Sequence, residues 1–458
     1  MPVTPLATDL YQLTMMAGYF ETGRHALRAT FELFTRRLPP HRNCLVFAGL
    51  DQALAYLEEM RFSPEEVAWL AGLPVFSAVP PAFFDYLRDF RFTGDVWAMP
   101  EGTPFLPNEP VLRITAPLAQ AQLVETALLA ILSLQTTIAS KALRIVSAAG
   151  ARPVMEFGAR RAHGPEAALY AARAAYLAGC TGTSFVEAGR RFGIPLSGTM
   201  AHSWILAAES ELDAFRQYTD VFGENTTLLL DTYDVAAAAA MVVESGLRPP
   251  AVRLDSGDLL ALARLVRHVF DRGGLSATRI LVSGDLDEWK IRDLIAAGAP
   301  IDGYAVGTAL TTSEDAPALG AVYKLVEIET AGGMRPVMKR SEGKSTRPGA
   351  KQVWRVLAEE LAAGDVVGLA GEPAPRGGVA LLHPVMRQGA RSTPTPPLAE
   401  LRDRCAESVS VMPRPLMALE PHTGYPVDTS PGLQAYVKAG SAPPVPENSL
   451  RQNAPPQR

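Results

Sequence analysis

Apolar and polar segments alternate regularly through the middle of the chain. Between about residues 151 and 310, short apolar runs end in a polar or glycine-containing step, and longer segments with helical spacing lie between them. Seven runs follow this pattern: RPVMEFG, AGCTGTS, GIPLSGT, TTLLLD, AVRLDSGD, RILVSGD and IDGYAVGT. Strands that alternate with helices at this spacing predict an α/β fold with a parallel sheet or barrel.

About seven units without a break favour an irregular (β/α) barrel, although an open doubly wound sheet would give nearly the same alternation. In a barrel, the carboxyl ends of the strands meet on one face. The carboxylates, hydroxyls and glycines that end the runs are therefore expected to line a single site.

The regions on either side of this core have different patterns. Residues 1–150 combine turn-rich short strands with a long apolar segment, LAQAQLVETALLAILSLQTTIAS, which predicts a buried helix and not a membrane span. We expect a mixed α+β N-terminal domain there, followed by the barrel at 151–330. Strand-like sequence with many cations predicts a C-terminal extension at 331–440. The proline-rich, polar stretch 441–458 is predicted to be a disordered tail.

The composition is that of a globular protein with more than one domain: 458 residues, 48% hydrophobic and 20% charged. The net charge of −5 gives no reason to expect nucleic acid or a membrane surface as a partner. Any anionic ligand must then be held by local groups. Three scattered cysteines and the lack of a basic or apolar leader predict a reducing, cytoplasmic location.

Two strand ends carry the same Ser-Gly-Asp step. In VRLDSGDL, Arg253 and Asp255 could bind an anion, Mg²⁺ or sugar hydroxyls, but DSGD is equally good helix-capping sequence. The next such run, LVSGDLDEWK, repeats the step at Ser283, Gly284 and Asp285. This repetition favours a shared ligand site.

Three further motifs have a functional and a structural interpretation. In EFGARRAHG, Phe157 and Arg160 suit a flat acidic ring, with a surface ion pair as the alternative. In AVGTAL, Gly307 and Thr308 could cradle a phosphate, although a tight turn is the simpler interpretation. In SGTMAHSW, His202 follows the run GIPLSG, and a single histidine considered alone is more often structural than catalytic.

Taken together, nine motifs resemble those of the nicotinate phosphoribosyltransferase family, in the family's order from about residue 8 to residue 355. They are TDLYQLTMM, FELFTRRLP, EFGARRAHG, GTMAHSW, LLLDTYD, VRLDSGDL, SGDLDEWKI, AVGTAL and PGAKQVWR. The resemblance implies a type II phosphoribosyltransferase-like fold and a homodimer with active sites at the subunit interface. It implies that nicotinate and phosphoribosyl pyrophosphate form nicotinate mononucleotide and pyrophosphate in NAD biosynthesis. It also implies ligase-type coupling to ATP hydrolysis through a phosphorylated histidine.

The matching motifs imply a role for each site residue. His202 matches the phosphorylated histidine, and Asp255 matches an acid on the ribose side. Tyr11 matches a tyrosine that one subunit lends to its partner's base pocket. The other implied substrate positions are Phe157, Arg160, Thr199 and Arg253 for the base, and Ser283, Gly284, Gly307 and Thr308 for the 5′-phosphate. Asp255 and Asp285 are the acids available as ligands for Mg²⁺, directly or through water.

The chain differs from many family members at residues 179–186, where GCTGTSFV replaces GFDGTSNV and changes Cys180 and Phe185. Ser184 lies where the related nicotinamide enzymes carry an aspartate that would repel a carboxylate. A neutral Ser184 beside Arg160 and Arg253 therefore suits nicotinate. The alternatives are a nicotinamide or quinolinate phosphoribosyltransferase, or a non-catalytic descendant that binds nucleotide.

Overall fold

The N-terminal region contributes short strands and one long helix. The structure, a computed structural model, describes residues 4–339 and 346–440. The first elements in chain order are α1 (Leu10–Glu21), β1 (Arg28–Thr35), β2 (Leu45–Val46), α2 (Leu50–Glu59), α3 (Pro64–Ala71), α4 (Pro81–Arg88), β3 (Asp95–Ala98), β4 (Pro104–Phe105), β5 (Pro110–Pro117), α5 (Leu118–Leu123) and α6 (Glu125–Ala149).

The middle of the chain forms the alternating core that the sequence predicts. Its elements are β6 (Val154–Glu156), α7 (Pro165–Leu177), β7 (Gly182–Thr183), α8 (Val186–Phe192), α9 (His202–Leu206), α10 (Glu211–Phe222), β8 (Thr227–Leu229), α11 (Val235–Glu244), β9 (Ala251–Leu254), α12 (Leu259–Arg272), β10 (Arg279–Val282), α13 (Glu288–Ala296), β11 (Gly303–Val306) and α14 (Thr308–Thr311). The six strands pair in parallel in the order β7-β6-β11-β10-β9-β8. The predicted irregular (β/α) architecture is confirmed as a parallel half-barrel sheet.

One of the seven predicted strands is wrong. The run GIPLSGT makes only a single parallel bridge, between Leu196 and Thr183. Pro195 has no N–H to donate, and glycines at 193 and 198 weaken an extended segment, so a continuous ladder does not form. His202 consequently lies at the first turn of the short helix α9 and does not end a strand.

The last part of the chain returns to strands. Its elements are β12 (Ala321–Thr330), β13 (Gly333–Pro336), β14 (Lys351–Ala358), β15 (Leu361–Leu369), β16 (Gly378–Ala380), β17 (His383–Arg387), β18 (Ala390–Arg391), α15 (Leu398–Ser410), α16 (Arg414–Met417), β19 (Val427–Thr429) and α17 (Pro431–Gly440). Strands β14, β15, β16 and β19 form a separate four-stranded sheet. The predicted tail at 441–458 lies outside the described residues.

The N-terminal sheet is completed by strands from the end of the chain. Its seven strands run in the order β13-β12-β1-β5-β3-β17-β18, and all neighbours are antiparallel. Residues 321–330, which the sequence places in the barrel domain, therefore pair with β1. The sheet joins parts of the chain on both sides of the barrel.

Helix α6 connects the N-terminal region with the barrel. By length and composition it could cross a membrane, but 67% of its most apolar window is buried inside the protein. It packs against α7 and α13, so it is a core helix, as the sequence predicts. Lys141 of α6 contacts Glu288 of α13 at 2.6 Å and Asp315 at 3.0 Å, and Arg144 contacts Glu288 at 2.9 Å. These buried ion pairs attach α13 to α6.

Candidate active site

A cavity of about 590 Å³ lies at the carboxyl ends of the parallel strands. The structure brings together ten of the twelve predicted site residues in its lining: Phe157, Arg160, Thr199, Arg253, Asp255, Ser283, Gly284, Asp285, Gly307 and Thr308. Ser184 also lines the cavity. Tyr11 and His202 do not, and their positions are described below.

The cavity has a cationic side formed by Arg160, Arg161 and Arg253. No carboxylate lies within ion-pairing distance of these arginines in the part of the chain that the structure describes, so the surface-ion-pair interpretation does not hold. Burial lowers the pKa of Arg253, and the positive charge of Arg160 acts in the same direction. The Nε of Arg253 is buried without a hydrogen-bond partner. An anionic ligand between Arg160 and Arg253 would satisfy that group and relieve the repulsion.

Another part of the lining is formed by the Ser283–Asp285 loop, which packs directly on Asp255. The Ser283 hydroxyl donates a hydrogen bond to Oδ1 of Asp255. Gly284 has φ +95°, and a Cβ built there would lie 2.0 Å from the carbonyl oxygen of Asp255. Only glycine fits this close approach. The repeated Ser-Gly-Asp step therefore does bring two strand ends into one site.

The capping and ligand-binding interpretations of these motifs apply to different residues. Asp258 caps α12 by accepting the N–H of Ala261 at 3.1 Å, and Asp287 caps α13 by accepting the N–H of Lys290 at 2.8 Å. The acids that come earlier in each motif, Asp255 and Asp285, face the cavity instead. Each motif thus supplies one helix cap and one acid for the site.

His202 lies beside the cavity, next to Ala201 in its lining. Its Nδ1 is 3.2 Å from the hydroxyl oxygen of Thr232. Its Nε2 is 3.9 Å from Oδ2 of Asp255, beyond hydrogen-bond distance, and its side chain is 39% exposed. A hydroxyl, and not a carboxylate, contacts the imidazole in this arrangement.

Asp231 is a site residue that the sequence analysis did not single out. Its Oδ2 accepts hydrogen bonds from the backbone N–H of Asp255 at 3.1 Å and from the hydroxyl of Ser256 at 2.5 Å. Its Oδ1 is buried without a partner. The sequence contains a signal for this residue, because Asp231 is an acid at the end of the run TTLLLD, as Asp255 is an acid directly after β9. Asp231 and the neighbouring Thr232 together support Asp255 and His202.

Tyr11 lies on α1, away from this cavity. It is 50% exposed, and Leu10 and Met15 on the same helix are exposed as well. Gln12, the next residue, points inward and donates a hydrogen bond to Glu125 at 2.8 Å. Helix α1 is therefore anchored on one side and presents an uncovered apolar side to the surroundings.

The comparison with known proteins identifies the family. The N-terminal domain model of nicotinate phosphoribosyltransferase (NAPRTase) matches residues 6–133, and the NAPRTase family model matches residues 153–355. The chain belongs to the nicotinate phosphoribosyltransferase family. A nicotinate phosphoribosyltransferase of Mycobacterium tuberculosis is 45% identical over 430 residues, which cover 92% of this chain and 90% of that protein.

Other members of the nicotinate phosphoribosyltransferase family agree with this assignment. That of Bacillus subtilis is 42% identical over 378 residues, covering 80% of this chain and 76% of that protein. The crystal structure of human nicotinic acid phosphoribosyltransferase superposes with a TM-score of 0.82 at 31% identity, covering 94% of this chain and 99% of that chain. The predicted family, fold class and nicotinate phosphoribosyltransferase activity are confirmed, with a role in NAD biosynthesis. The nicotinamide, quinolinate and non-catalytic alternatives are not favoured.

The residues of this chain that differ from many nicotinate phosphoribosyltransferases within residues 179–186, namely Cys180, Thr181 and Phe185, do not line the cavity. Cys180 is fully buried. Phe185 packs against Leu169, Tyr170 and Ile194, whereas the preceding Ser184 lines the cavity. The substituted aromatic ring therefore fills a neighbouring apolar cluster outside the site.

The carboxylates at the cavity fit a weakly held Mg²⁺. Asp255 and Asp285 are the two acids in its lining. Within residues 4–339 and 346–440, no group of three or more His, Cys, Asp or Glu side chains is arranged to hold a metal ion. Mg²⁺ is commonly bound by one or two carboxylates together with water and substrate phosphates. This arrangement suits an ion that arrives with a phosphorylated substrate.

Proposed function

We propose that nicotinate binds in this cavity with its ring on Phe157 and its carboxylate between Arg160 and Arg253. The buried, unpartnered Nε of the half-buried Arg253 is the observation that carries the proposal, since an unsatisfied buried donor is costly and a carboxylate would satisfy it. The exposed hydroxyl of Ser184 adds no negative charge. An amide base would offer no negative charge to the two guanidinium groups.

Phosphoribosyl pyrophosphate occupies the other side of the cavity in this proposal. The ribose hydroxyls lie against Asp255, and the 5′-phosphate lies on the turns at Ser283–Gly284 and Gly307–Thr308, where backbone N–H groups are available. The pyridine nitrogen bonds to C1′ as the bond from C1′ to the pyrophosphate oxygen breaks, and pyrophosphate leaves with the electron pair. The carboxylate of Asp255 stabilises the positive charge that develops on the sugar. When bound by Asp255 and Asp285, Mg²⁺ supplies positive charge next to the leaving group.

The proposal includes coupling to ATP through His202. Because Thr232 contacts Nδ1, Nε2 is the nitrogen left to attack the γ-phosphorus of ATP, with ADP as the leaving group. The phosphorylated imidazole then places negative charge and acceptor oxygens beside the acids of the site, close to where Mg²⁺ is proposed. Attack by water on that phosphorus returns His202 and releases phosphate.

The active form is proposed to be a homodimer. Exposed apolar side chains occur on α1 and, in a second group, on the segments around the cavity: Val186, Leu196, Trp204, Leu206 and Tyr233. Two apolar surfaces of this kind on one chain support an isologous contact in which α1 of each subunit covers the partner's cavity. Tyr11 is then available to the partner's nicotinate.

The proposed location is the cytoplasm. Cys44, Cys180 and Cys405 are buried and unpaired, and burial raises the pKa of the Cys44 and Cys405 thiols to about 12. Free structural thiols are typical of proteins kept in a reducing compartment. Fractionation of cells that express a tagged chain tests this location.

The test of the proposed site is nicotinate mononucleotide formation with and without ATP. We expect His202→Ala to abolish ATP hydrolysis and ATP stimulation while a slow, ATP-independent transfer persists. His202→Asn should behave in the same way, because the amide is polar but not nucleophilic. Incubation with γ-labelled ATP should give an acid-labile, base-stable label on His202. A label on another residue, or full ATP stimulation of His202→Ala, would show that His202 is structural.

A further inference from the structure

Glu156 is a buried acid directly beneath the base side of the cavity. It is the last residue of β6 and is only 1% exposed. One carboxylate oxygen, Oε2, accepts the hydroxyl of Thr183 at 2.6 Å. The other, Oε1, accepts the backbone N–H of Gly158. A single side chain thus bridges the ends of two neighbouring strands, β6 and β7.

The two bridged segments carry the residues proposed to bind nicotinate. Gly158 lies in the segment that bears Phe157 and Arg160, and Thr183 immediately precedes Ser184. The backbone also ties them together, because the N–H of Ser184 donates to the carbonyl oxygen of Glu156 at 3.0 Å. The hydroxyl oxygen of Thr183 accepts the N–H of Phe185 at 3.0 Å, which fixes the turn after Ser184.

The acid is retained at this position without a neighbouring cation. Burial raises the pKa of Glu156, while the hydrogen bonds from Thr183 and Gly158 act to lower it. In the part of the chain that the structure describes, no lysine, arginine or histidine forms an ion pair with it. Burying an acid costs free energy, and the two hydrogen bonds that offset this cost are the ones that tie the two loops together.

We propose that Glu156 is a positioning residue for base recognition, which sets the spacing between Phe157 and Arg160 after one strand and Ser184 after the next. This inference rests on the proposed placement of nicotinate. Glu156 is not part of the cavity lining, so it acts through the loops and not by contact with the base. The hydrogen bonds of its side chain go to Gly158 and Thr183, and not to the Ser283 loop or the Gly307 turn, which bind the phosphoribosyl group in the proposal.

The inference predicts a selective effect on nicotinate. Removing the bridge with Glu156→Ala should raise the KM for nicotinate by about tenfold or more, since a lost buried hydrogen bond is worth on the order of a factor of ten. The KM for phosphoribosyl pyrophosphate and kcat should change by less than about threefold. Glu156→Gln should restore most of the loss, because its amide can accept the N–H of Gly158 and donate to the hydroxyl of Thr183.

A milder variant and a matched control separate positioning from general damage. Thr183→Val removes one hydrogen bond while keeping the shape, and should raise the KM for nicotinate by several-fold. Thr30→Val is the control, because Thr30 is equally buried and its hydroxyl donates to the carboxylate of Glu327 at 2.9 Å, far from the cavity. The control should lower the melting temperature similarly but leave the KM for nicotinate unchanged.

The outcomes distinguish failure of this inference from failure of the proposed site. If Thr183→Val and the folded Glu156 variants leave the KM for nicotinate unchanged, Glu156 is only structural. An equal rise in both KM values would lead to the same conclusion. If Arg160→Ala and Arg253→Ala also leave the KM for nicotinate unchanged, the proposed placement of the base is wrong, whatever the Glu156 variants show.

Discussion

Base choice depends on the charge of a few side chains around the cavity. Arg160, Arg161 and Arg253 supply positive charge without ion-pair partners among the described residues, and Ser184 is neutral. Asp255 and Asp285 also line the cavity, so a substrate carboxylate is favoured only where the arginines lie. A single added negative charge at the cavity would change this balance more than any change in size.

Replacement of Ser184 by Asp is expected to shift the enzyme away from nicotinate. The new carboxylate repels the substrate carboxylate and neutralises part of the arginine charge, so kcat/KM for nicotinate should fall by about tenfold or more. Turnover of each base is measured separately. Ser184→Asn is the control, because asparagine is neutral and similar in size to aspartate. Its kcat/KM for nicotinate should fall by much less. Equal turnover of nicotinate and nicotinamide by the unmodified protein would contradict this account of base choice.

The sequence predicts most of the cavity lining because strand-end motifs converge in a parallel sheet. It did not predict the contact between Thr232 and His202, since that contact depends on how two loops turn after their strands. Asp231 was within a recognised motif, but nothing local distinguishes an acid that supports another acid from one that faces the ligand. The role proposed for Glu156 was not predicted either, because nothing in the local sequence distinguishes an acid that holds two loops together from one that faces the ligand.

At the level of elements, the sequence predicts the strands correctly where a run of β-branched or apolar residues is clear. It failed for GIPLSGT, where Pro195 and the flanking glycines limit pairing to one bridge. The local pattern does not predict that α13 packs against α6 and forms ion pairs with it. The partners Lys141 and Glu288 are far apart in sequence, and their buried ion pair exists only when the two helices pack.

Replacement of Glu288 by Gln is expected to lower the free energy of unfolding by about 3 kcal/mol at pH 7, because it leaves the buried Arg144 without its acid and Lys141 with Asp315 alone. Burial acts to raise the pKa of Glu288, but the charge of Lys141 and hydrogen bonds from Lys141 and Arg144 hold it below the ordinary value. A lowered pKa contributes stability that is present above the unfolded-state pKa and is lost as the pH falls through the folded-state pKa. The difference in free energy of unfolding between the unmodified protein and Glu288→Gln should therefore shrink as the pH decreases below about 5.

Urea unfolding from pH 7 to pH 3 measures this difference. Glu187→Gln is the control, because Glu187 and Arg190 form an exposed ion pair within one helix, and such pairs contribute little to stability. A Glu288→Gln curve that stays parallel to that of the unmodified protein at every pH would contradict the assigned role of the ion pair.

At the level of the whole molecule, the sequence does not indicate that residues at the end of the predicted barrel region 151–330 pair with an N-terminal strand. Strand β12 belongs to the N-terminal sheet, because its pairing with β1 is a long-range contact that no local pattern encodes. The exposed apolar residues of α1 and of the cavity surroundings are likewise evident only in the folded chain. They are explained if two chains cover each other's cavities.

Complementation between variants tests this arrangement. Tyr11→Ala and His202→Ala proteins should each lack ATP-stimulated transfer, but their heterodimers have one site in which both residues are intact. Random exchange in an equal mixture should thus restore about a quarter of the unmodified activity. As a control, heterodimers of the double variant with the unmodified protein have no intact site and should lack this activity. Absence of recovery in mixtures shown to have exchanged subunits would exclude a shared site.

The pairing of β1 with β12 also constrains how the chain folds while it is being synthesised. The hydrogen bond from Thr30 to Glu327 joins residues 297 positions apart. At the usual pace of a ribosome this separates the two strands by about 15 to 60 s. During that interval the half-barrel can form, but β1 has β5 on one side and an unpaired edge on the other. An unpaired edge strand is a template for pairing with another chain. Nascent chains halted before residue 321 are therefore expected to associate through this edge of β1 more readily than the complete chain.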